Sequence, residues 1–191
     1  YFKMNEEYKF ENGLNLDSHV KLASKRIIFL SEDITKSSAS QLASLLLFYD
    51  LQDKKAPIYL YINSLGGDAS GLMSICDVMK MIKAPVYTFC LGKCYSAGAV
   101  ILACGEKGHR YALKNSKIMI HGLQCLFPIP GFDVADSQKY YDFLNLSNDN
   151  VMKLLANKAK CSMATLKKEC ERDVWLDAQD ALKYGLIDKI L

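Results

Sequence analysis

The chain has no apolar run that could cross a bilayer. A spanning helix needs about 18–20 such residues, whereas the richest stretch, Ala97–Cys104, is short and holds Gly98. No CxxC pair occurs either. The seven cysteines, at 76, 90, 94, 104, 125, 161 and 170, are odd in number, and Cys90/Cys94 has no second pair to complete a zinc site. That argues against a disulfide framework and a metal centre. The thiols read instead as small packing hydrophobes of a reduced, intracellular protein. Charge of one sign is also lacking. The net charge is +3 with the basic residues dispersed, so neither a nucleic-acid footprint nor a membrane surface is indicated. Residues 1–17 are polar and of mixed charge, so no signal peptide is visible. Repeats, linkers and low-complexity tracts are missing too. What is abundant is apolar side chain, 50% of the 191 residues. That lies at the top of the ~45–50% typical of soluble domains and excludes disorder. The length suits one domain.

Residues 1–20 carry no periodic pattern and read as an N-terminal arm, leaving 21–191 as a single domain. Residues 26–30, 58–62 and 86–90 are compact β-branched and aromatic runs, apolar throughout. They predict strands covered on both faces, the third ending at Gly92. Helical spacing separates them, over 37–49 (Ala39, Leu42, Leu45, Leu46, Tyr49), 70–82 and 96–104. Leu45-Leu-Leu-Phe48 is apolar most of the way round, which predicts a helix covered on two sides. Residues 111–113 and 117–120 are strand-like. A long helix is expected from Asp133, with Val134, Tyr141, Leu144, Val151, Leu154 and Leu155 on one stripe. A short helix around Met163 and Leu166, another over 178–184 and a last strand within 185–191 complete the chain. Strand alternating with helix predicts an α/β domain with a mostly parallel sheet.

Chemistry in such a sheet gathers where strands run out into helices. Three features fall there. The first is Asn63-Ser-Leu-Gly-Gly67, whose glycines permit unusual backbone angles and leave N–H groups near a helix start. It reads equally as a tight turn, and without GxGxxG spacing or a following Lys-Ser/Thr it does not indicate a nucleotide. The second is Ser96, at a strand–turn–helix junction where its hydroxyl could point outward. Taken alone it reads first as a helix N-cap, and Cys94 breaks the GxSxG pattern of a hydrolase elbow. The third is His121, closing the apolar run Ile118-Met-Ile. A serine nucleophile needs a base, and imidazole is the natural one near neutral pH. Of three histidines, His19 lies in the arm and His109 in a polar turn, so His121 is best placed to be buried. A core histidine bonded to backbone is its simpler reading. Asp173, Asp177 and Asp188 are all open as the orienting carboxylate.

Taken together, these segments resemble the ClpP family, the serine peptidase subunit of ATP-dependent Clp proteases. Asn63-Ser-Leu-Gly-Gly67 is similar to the family's N-S-P-G-G, and Ser96-Ala-Gly98 to its S-M-G nucleophile segment. Residues 105–116 are similar to G-x-x-G-x-R-x-x-L-P-N-S. Met119-Ile-His121 matches M-I-H, Glu171-Arg-Asp173 with Trp175 matches E-R-D-x-[FWY], and Tyr184-Gly-Leu-Ile-Asp188 matches Y-G-L-[IV]-D. The resemblance runs in unbroken order over 26–191. It implies a ClpP/crotonase-like fold of repeated β-β-α units, with a protruding handle at about 122–160. It implies Ser96 as nucleophile, His121 as general base and Asp173 as orienting carboxylate, with the amides of Gly67 and Ala97 as oxyanion hole. It also implies two stacked heptameric rings, with Arg172 at the ring-to-ring contact. Unfolded protein substrates would be fed in by an AAA+ ATPase of the ClpX, ClpA or ClpC type. That partner uses the ATP; no cofactor or metal is bound by the chain itself. The implied compartment is the cytoplasm, or a plastid or mitochondrion after removal of a targeting segment.

The chain departs from the family pattern at several points. Leu65 stands for proline, Gly122-Leu123 for Gln-Pro, and Ala97 for methionine. Pro128 and Pro130 fall where a glycine-rich strand is usual, and the arm lacks R-G-E-R…D-I-Y-S-R-L-L. These differences suit a divergent subunit of a mixed ring. Inactive ClpR-type subunits lose triad residues, whereas this chain keeps all three. A crotonase-like acyl-CoA enzyme would have no need of a full Ser/His/Asp set, and a pure binding module is the remaining alternative.

Overall fold

The computed structural model describes residues 16–123, 131 and 133–191. Helix α1 (Leu16–Ser24) leads into β1 (Ile27–Leu30), α2 (Lys36–Gln52), β2 (Ile58–Ser64), α3 (Ala69–Met81), β3 (Val86–Tyr95) and α4 (Ala97–Cys104). Then follow β4 (Arg110–Ala112), β5 (Lys117–Ile120), α5 (Val134–Ala156), α6 (Met163–Glu169), β6 (Val174–Asp177), α7 (Ala178–Tyr184) and β7 (Lys189–Ile190). The expected arm therefore overlaps a helix from Leu16 onward. Pro128, Pro130 and Cys125 lie outside the described residues.

The fold is a mixed α/β domain built on a mostly parallel sheet. Its strands run in the order β1-β2-β3-β4-β7, and β5 pairs with β3 and β6. All pairings are parallel except β5 with β6. Gly92 does not end β3, as the sequence suggested. The strand passes through it at φ +80°, a conformation open to glycine. Before that point β3 pairs with β4, and after it with β5. One long strand thus serves two neighbours and delivers its end to a second edge of the sheet.

The core lies between the sheet and helices α2, α3 and α4. Ile58, Leu60 and Ile62 of β2 are fully buried, as are Ile75 of α3 and Ile101, Leu102 and Ala103 of α4. The other sheet face departs from the expectation of cover on both sides. Residues on β1, β2 and β3 alternate between buried and more exposed positions. Several of the outward positions are aromatic, and register brings Phe29, Tyr61, Phe89 and Tyr111 side by side. Successive rings in that row stack at 5.3, 4.5 and 4.7 Å. An aromatic ladder of this kind stabilises the sheet across its strands. Helix α2 is likewise covered on one side only, with Leu45, Leu47, Phe48 and Leu51 exposed. In α5 the predicted stripe is buried only at its C-terminal end, at Val151 and Leu155, while Val134 is exposed. No helix among the described residues is long and apolar enough to cross a membrane.

Candidate active site

Two strand registers bring the candidate residues to one place. In the parallel pair, Cys94 lies beside Ile118 and Tyr95 beside Met119. The next amide, Ser96 N–H, donates to Met119 O at 2.8 Å. In the antiparallel pair, Ile120 lies opposite Val174, so the next step along that ladder sets His121 opposite Asp173. Ser96, His121 and Asp173 are thus delivered by strand pairing to a single edge. Tyr95 of β3 and Trp175 of β6, which flank β5 on its two sides, pack edge to face at 5.2 Å beside them.

Ser96 occupies the N-cap position of α4, but its hydroxyl is not used as a cap. It makes no side-chain cap hydrogen bond to α4. Its backbone sits at φ +52°, an uncommon conformation for a non-glycine residue that turns the hydroxyl out of the strand. The Oγ meets His121 Nε2 at 2.7 Å. On the other side of the ring, Nδ1 lies 3.5 Å from Asp173 Oδ1. The imidazole is largely buried, with 16% of its side chain accessible, whereas Asp173 is 41% accessible. The other two carboxylates are used elsewhere. Asp177 accepts the amide of Asp180 at 2.8 Å as the N-cap of α7. That bond, with the Gln179 amide and nearby Lys117 and Lys183, holds it below the usual carboxylate range against the opposing effect of desolvation. Asp188 pairs with Arg110 at 2.7 Å, far down the sheet.

The paired glycines are needed for close approach. A Cβ on Gly66 would lie 2.8 Å from Ser96 Cβ, 2.8 Å from Tyr95 O and 3.0 Å from Ala97 N. The backbone of the loop after β2 therefore rests directly on the turn that carries Ser96. A Cβ on Gly67 would lie 2.2 Å from Ile34 O. Ile34 clasps the loop from the other side: its amide donates to Gly66 O, and Asp68 N–H donates to Ile34 O, both at 2.7 Å. Gly67 follows this contact point and Ala97 opens α4 just after Ser96, so both amides border the turn. Ile34 is a part of the site that the sequence pattern did not single out, whereas Gly66 lies in the glycine pair that it did. A glycine pair shows that some close approach exists but not which backbone it meets.

Two thiols near the site, those of Cys94 and Cys170, are held in the protonated form. Burial, with Cys90 alongside, pushes Cys94 well above an ordinary thiol. Burial, then Glu169 and Cys161, raises Cys170 to about 11. Thiols held this high stay protonated near neutral pH. Among the described residues no group of His, Cys, Asp and Glu is arranged to hold a metal ion. Arg172, the expected ring-to-ring residue, is exposed and helps line a cavity of about 190 Å³ with His121, Gly122, Leu123 and Asn148. A serine hydroxyl hydrogen-bonded to a largely buried imidazole, with a carboxylate behind it, is an arrangement suited to nucleophilic acyl transfer.

The model of one protein family, Clp protease, matches residues 11–191, nearly the whole chain. The chain belongs to that family.

Proposed function

We propose that this Clp protease family chain is a serine endopeptidase subunit that cleaves unfolded polypeptides. The observation that carries this reading is the 2.7 Å contact between Ser96 Oγ and His121 Nε2 at a strained strand-to-helix turn. His121 Nε2 accepts the Ser96 proton as Oγ adds to the peptide carbonyl carbon. The oxyanion that forms is stabilised by the amides of Gly67 and Ala97. The carbon–nitrogen bond breaks as imidazolium Nε2 returns the proton to the leaving amine, leaving Ser96 acylated. Water then repeats these steps with His121 as base and releases the acid. Asp173 accepts a hydrogen bond from Nδ1–H, which orients the ring and stabilises the imidazolium without taking its proton.

The assembly we propose is the stacked heptameric ring, in which Arg172 and the handle helix α5 make the ring-to-ring contact. An AAA+ ATPase partner unfolds and threads the substrate. Supporting self-association, a lone chain leaves Phe48 and Leu51 of α2, and Val134, Phe143 and Leu146 of α5, exposed to water. One observation favours a second reading, that of a catalytically weak subunit. The His121–Asp173 separation exceeds hydrogen-bond length, although such contacts often tighten only with substrate bound.

A fluorophosphonate probe separates the two readings. The active subunit is expected to be labelled at Ser96, with Ser96→Ala abolishing the adduct. An unlabelled wild type, even beside its ATPase, overturns the peptidase. Mass measurement tests the ring, and a stable monomer counts against it.

A further inference from the structure

Strand β5 stops at Ile120, so sheet pairing no longer holds the backbone as it leaves His121. Two side interactions take over at consecutive amides. Gly122 N–H donates to Cys170 O at 2.9 Å. Leu123 N–H donates to Asn148 Oδ1 at 2.9 Å. The first ties the segment to the turn that carries Asp173, and the second ties it to helix α5.

We infer that Asn148 is a positioning residue for the catalytic base: its side chain holds the segment leaving His121, so that the placement of α5 sets the placement of the imidazole. The inference rests on the peptidase reading above and deepens it.

Asn148 is well sited for this. One turn further on, α5 reaches Val151, Met152 and Leu155, all buried in the core. The turn carrying Asn148 is also pinned to α6 by Asp149, which meets Lys167 Nζ at 2.6 Å. Asn148 thus stands where α5 becomes fixed, next to a half whose Phe143 and Leu146 are exposed. The fit around Gly122 is close. A Cβ there would lie 3.3 Å from Cys170 O and 3.4 Å from Asn148 Oδ1. The cavity of about 190 Å³ borders the same residues. The donor depends on residue 123 not being proline, which has no N–H. Leucine supplies it.

The inference is tested in the full chain with Asn148→Leu, which removes the acceptor at similar size, and Asn148→Asp, which keeps it. Asn148→Leu is expected to lower kcat on a fluorogenic peptide about tenfold, consistent with one lost hydrogen bond, with KM nearly unchanged. Asn148→Asp is expected to restore kcat. It should also move the acid limb of the rate profile to higher pH, because a carboxylate near the imidazole favours the imidazolium. Glu171 and Arg172, lining the same cavity, and Asp173, facing Nδ1, are unaltered in both variants.

A second readout needs no turnover. Carbethoxylation of His121 by diethyl pyrocarbonate, followed by mass spectrometry, should accelerate in Asn148→Leu and not in Asn148→Asp, with His109 as internal reference. An unaltered His121 rate in Asn148→Leu overturns the inference, and so does equal impairment of the two variants. If Asn148→Leu does not fold, the absence of a pH shift in Asn148→Asp overturns it. A wild type without peptidase activity counts against the peptidase reading alone, and the carbethoxylation rates then decide the role of Asn148.

Discussion

The two sides of one imidazole are built from different material. Toward Ser96, His121 faces a turn held by backbone: Ser96 N–H on Met119 O, and Gly66 pressed against the turn from β2. There the contact is 2.7 Å. Toward Asp173, it faces a carboxylate 41% accessible to solvent, in the turn before edge strand β6. There the separation is 3.5 Å, and Nδ1 is buried without a hydrogen-bond partner among the described residues. Register delivers both partners to the same edge. The difference in distance follows how much packed backbone stands behind each one. A contact between buried strands has little freedom, whereas an exposed turn can drift by several tenths of an ångström at little cost.

The largest effect expected from breaking this contrast comes on the packed side. Gly66→Ala would force a Cβ to 2.8 Å from both Ser96 Cβ and Tyr95 O, at φ +100°. We expect peptide hydrolysis to fall on the order of 10³-fold, because displacing a nucleophile by about an ångström already costs about 10²-fold. A turnover number near wild type would mean that the loop is softer than its contacts imply.

Next comes a carboxylate remote from the imidazole, which separates stability from catalysis. Breaking the mostly buried Arg110–Asp188 pair with Asp188→Asn should cost about 3 kcal/mol in a denaturant melt and leave the pH–rate profile unmoved. Burial alone would raise Asp188, but Arg110 and the amides of Arg110 and Gly108 outweigh it and hold it below the usual range. A carboxylate depressed in the folded state stabilises above its unfolded pKa, and the benefit is lost as pH falls through the folded value. Wild-type stability should therefore decline below about pH 4 from this pair, and the variant should lose that part of the slope. An identical acid slope in both would reject the assignment.

Asp173→Asn should behave in the opposite way, with a melt close to wild type and kcat lower by about 10²-fold. That is the low end of the range for acid–base groups, because the resting contact is long. A loss near 10⁴-fold, as found for a fully engaged triad carboxylate, would show that the contact closes completely during turnover. The smallest effect belongs to Asp177. Replacing this exposed cap of α7 with alanine should cost about 1 kcal/mol of stability and nothing in rate.

Much of this arrangement was legible in linear form. The spacing of Leu42, Leu46 and Tyr49 marks the buried face of α2, and all three are buried. Ser96 and His121 could be singled out as residues at the ends of apolar runs. Residue pattern alone, without the family resemblance, could not separate Asp173 from Asp177 and Asp188, because a carboxylate near a strand or turn looks alike whether it caps, pairs or faces an imidazole. The exposed sheet face was hidden for a related reason. Tyr59, Tyr61, Tyr87 and Phe89 are apolar enough to read as buried, yet they form the outward half of a period-two pattern. Ile34 and Asn148 gave no signal, since their role consists of touching segments distant in the chain, and the Gly66-Gly67 pair signalled a close approach without its partner.

By itself the amino-acid order determined what depends on near neighbours: strand and helix positions, the turns that glycine permits, and the chemical types available for reaction. Only the tertiary structure decided which carboxylate meets His121, that β3 runs on through Gly92 to carry Ser96 beside β5, and which surfaces remain uncovered. The physical reason is one of range. Backbone preference and apolar periodicity act over a few residues, whereas register and close approach are set by packing among segments far apart in the chain, as Ser96 with His121 and His121 with Asp173 show.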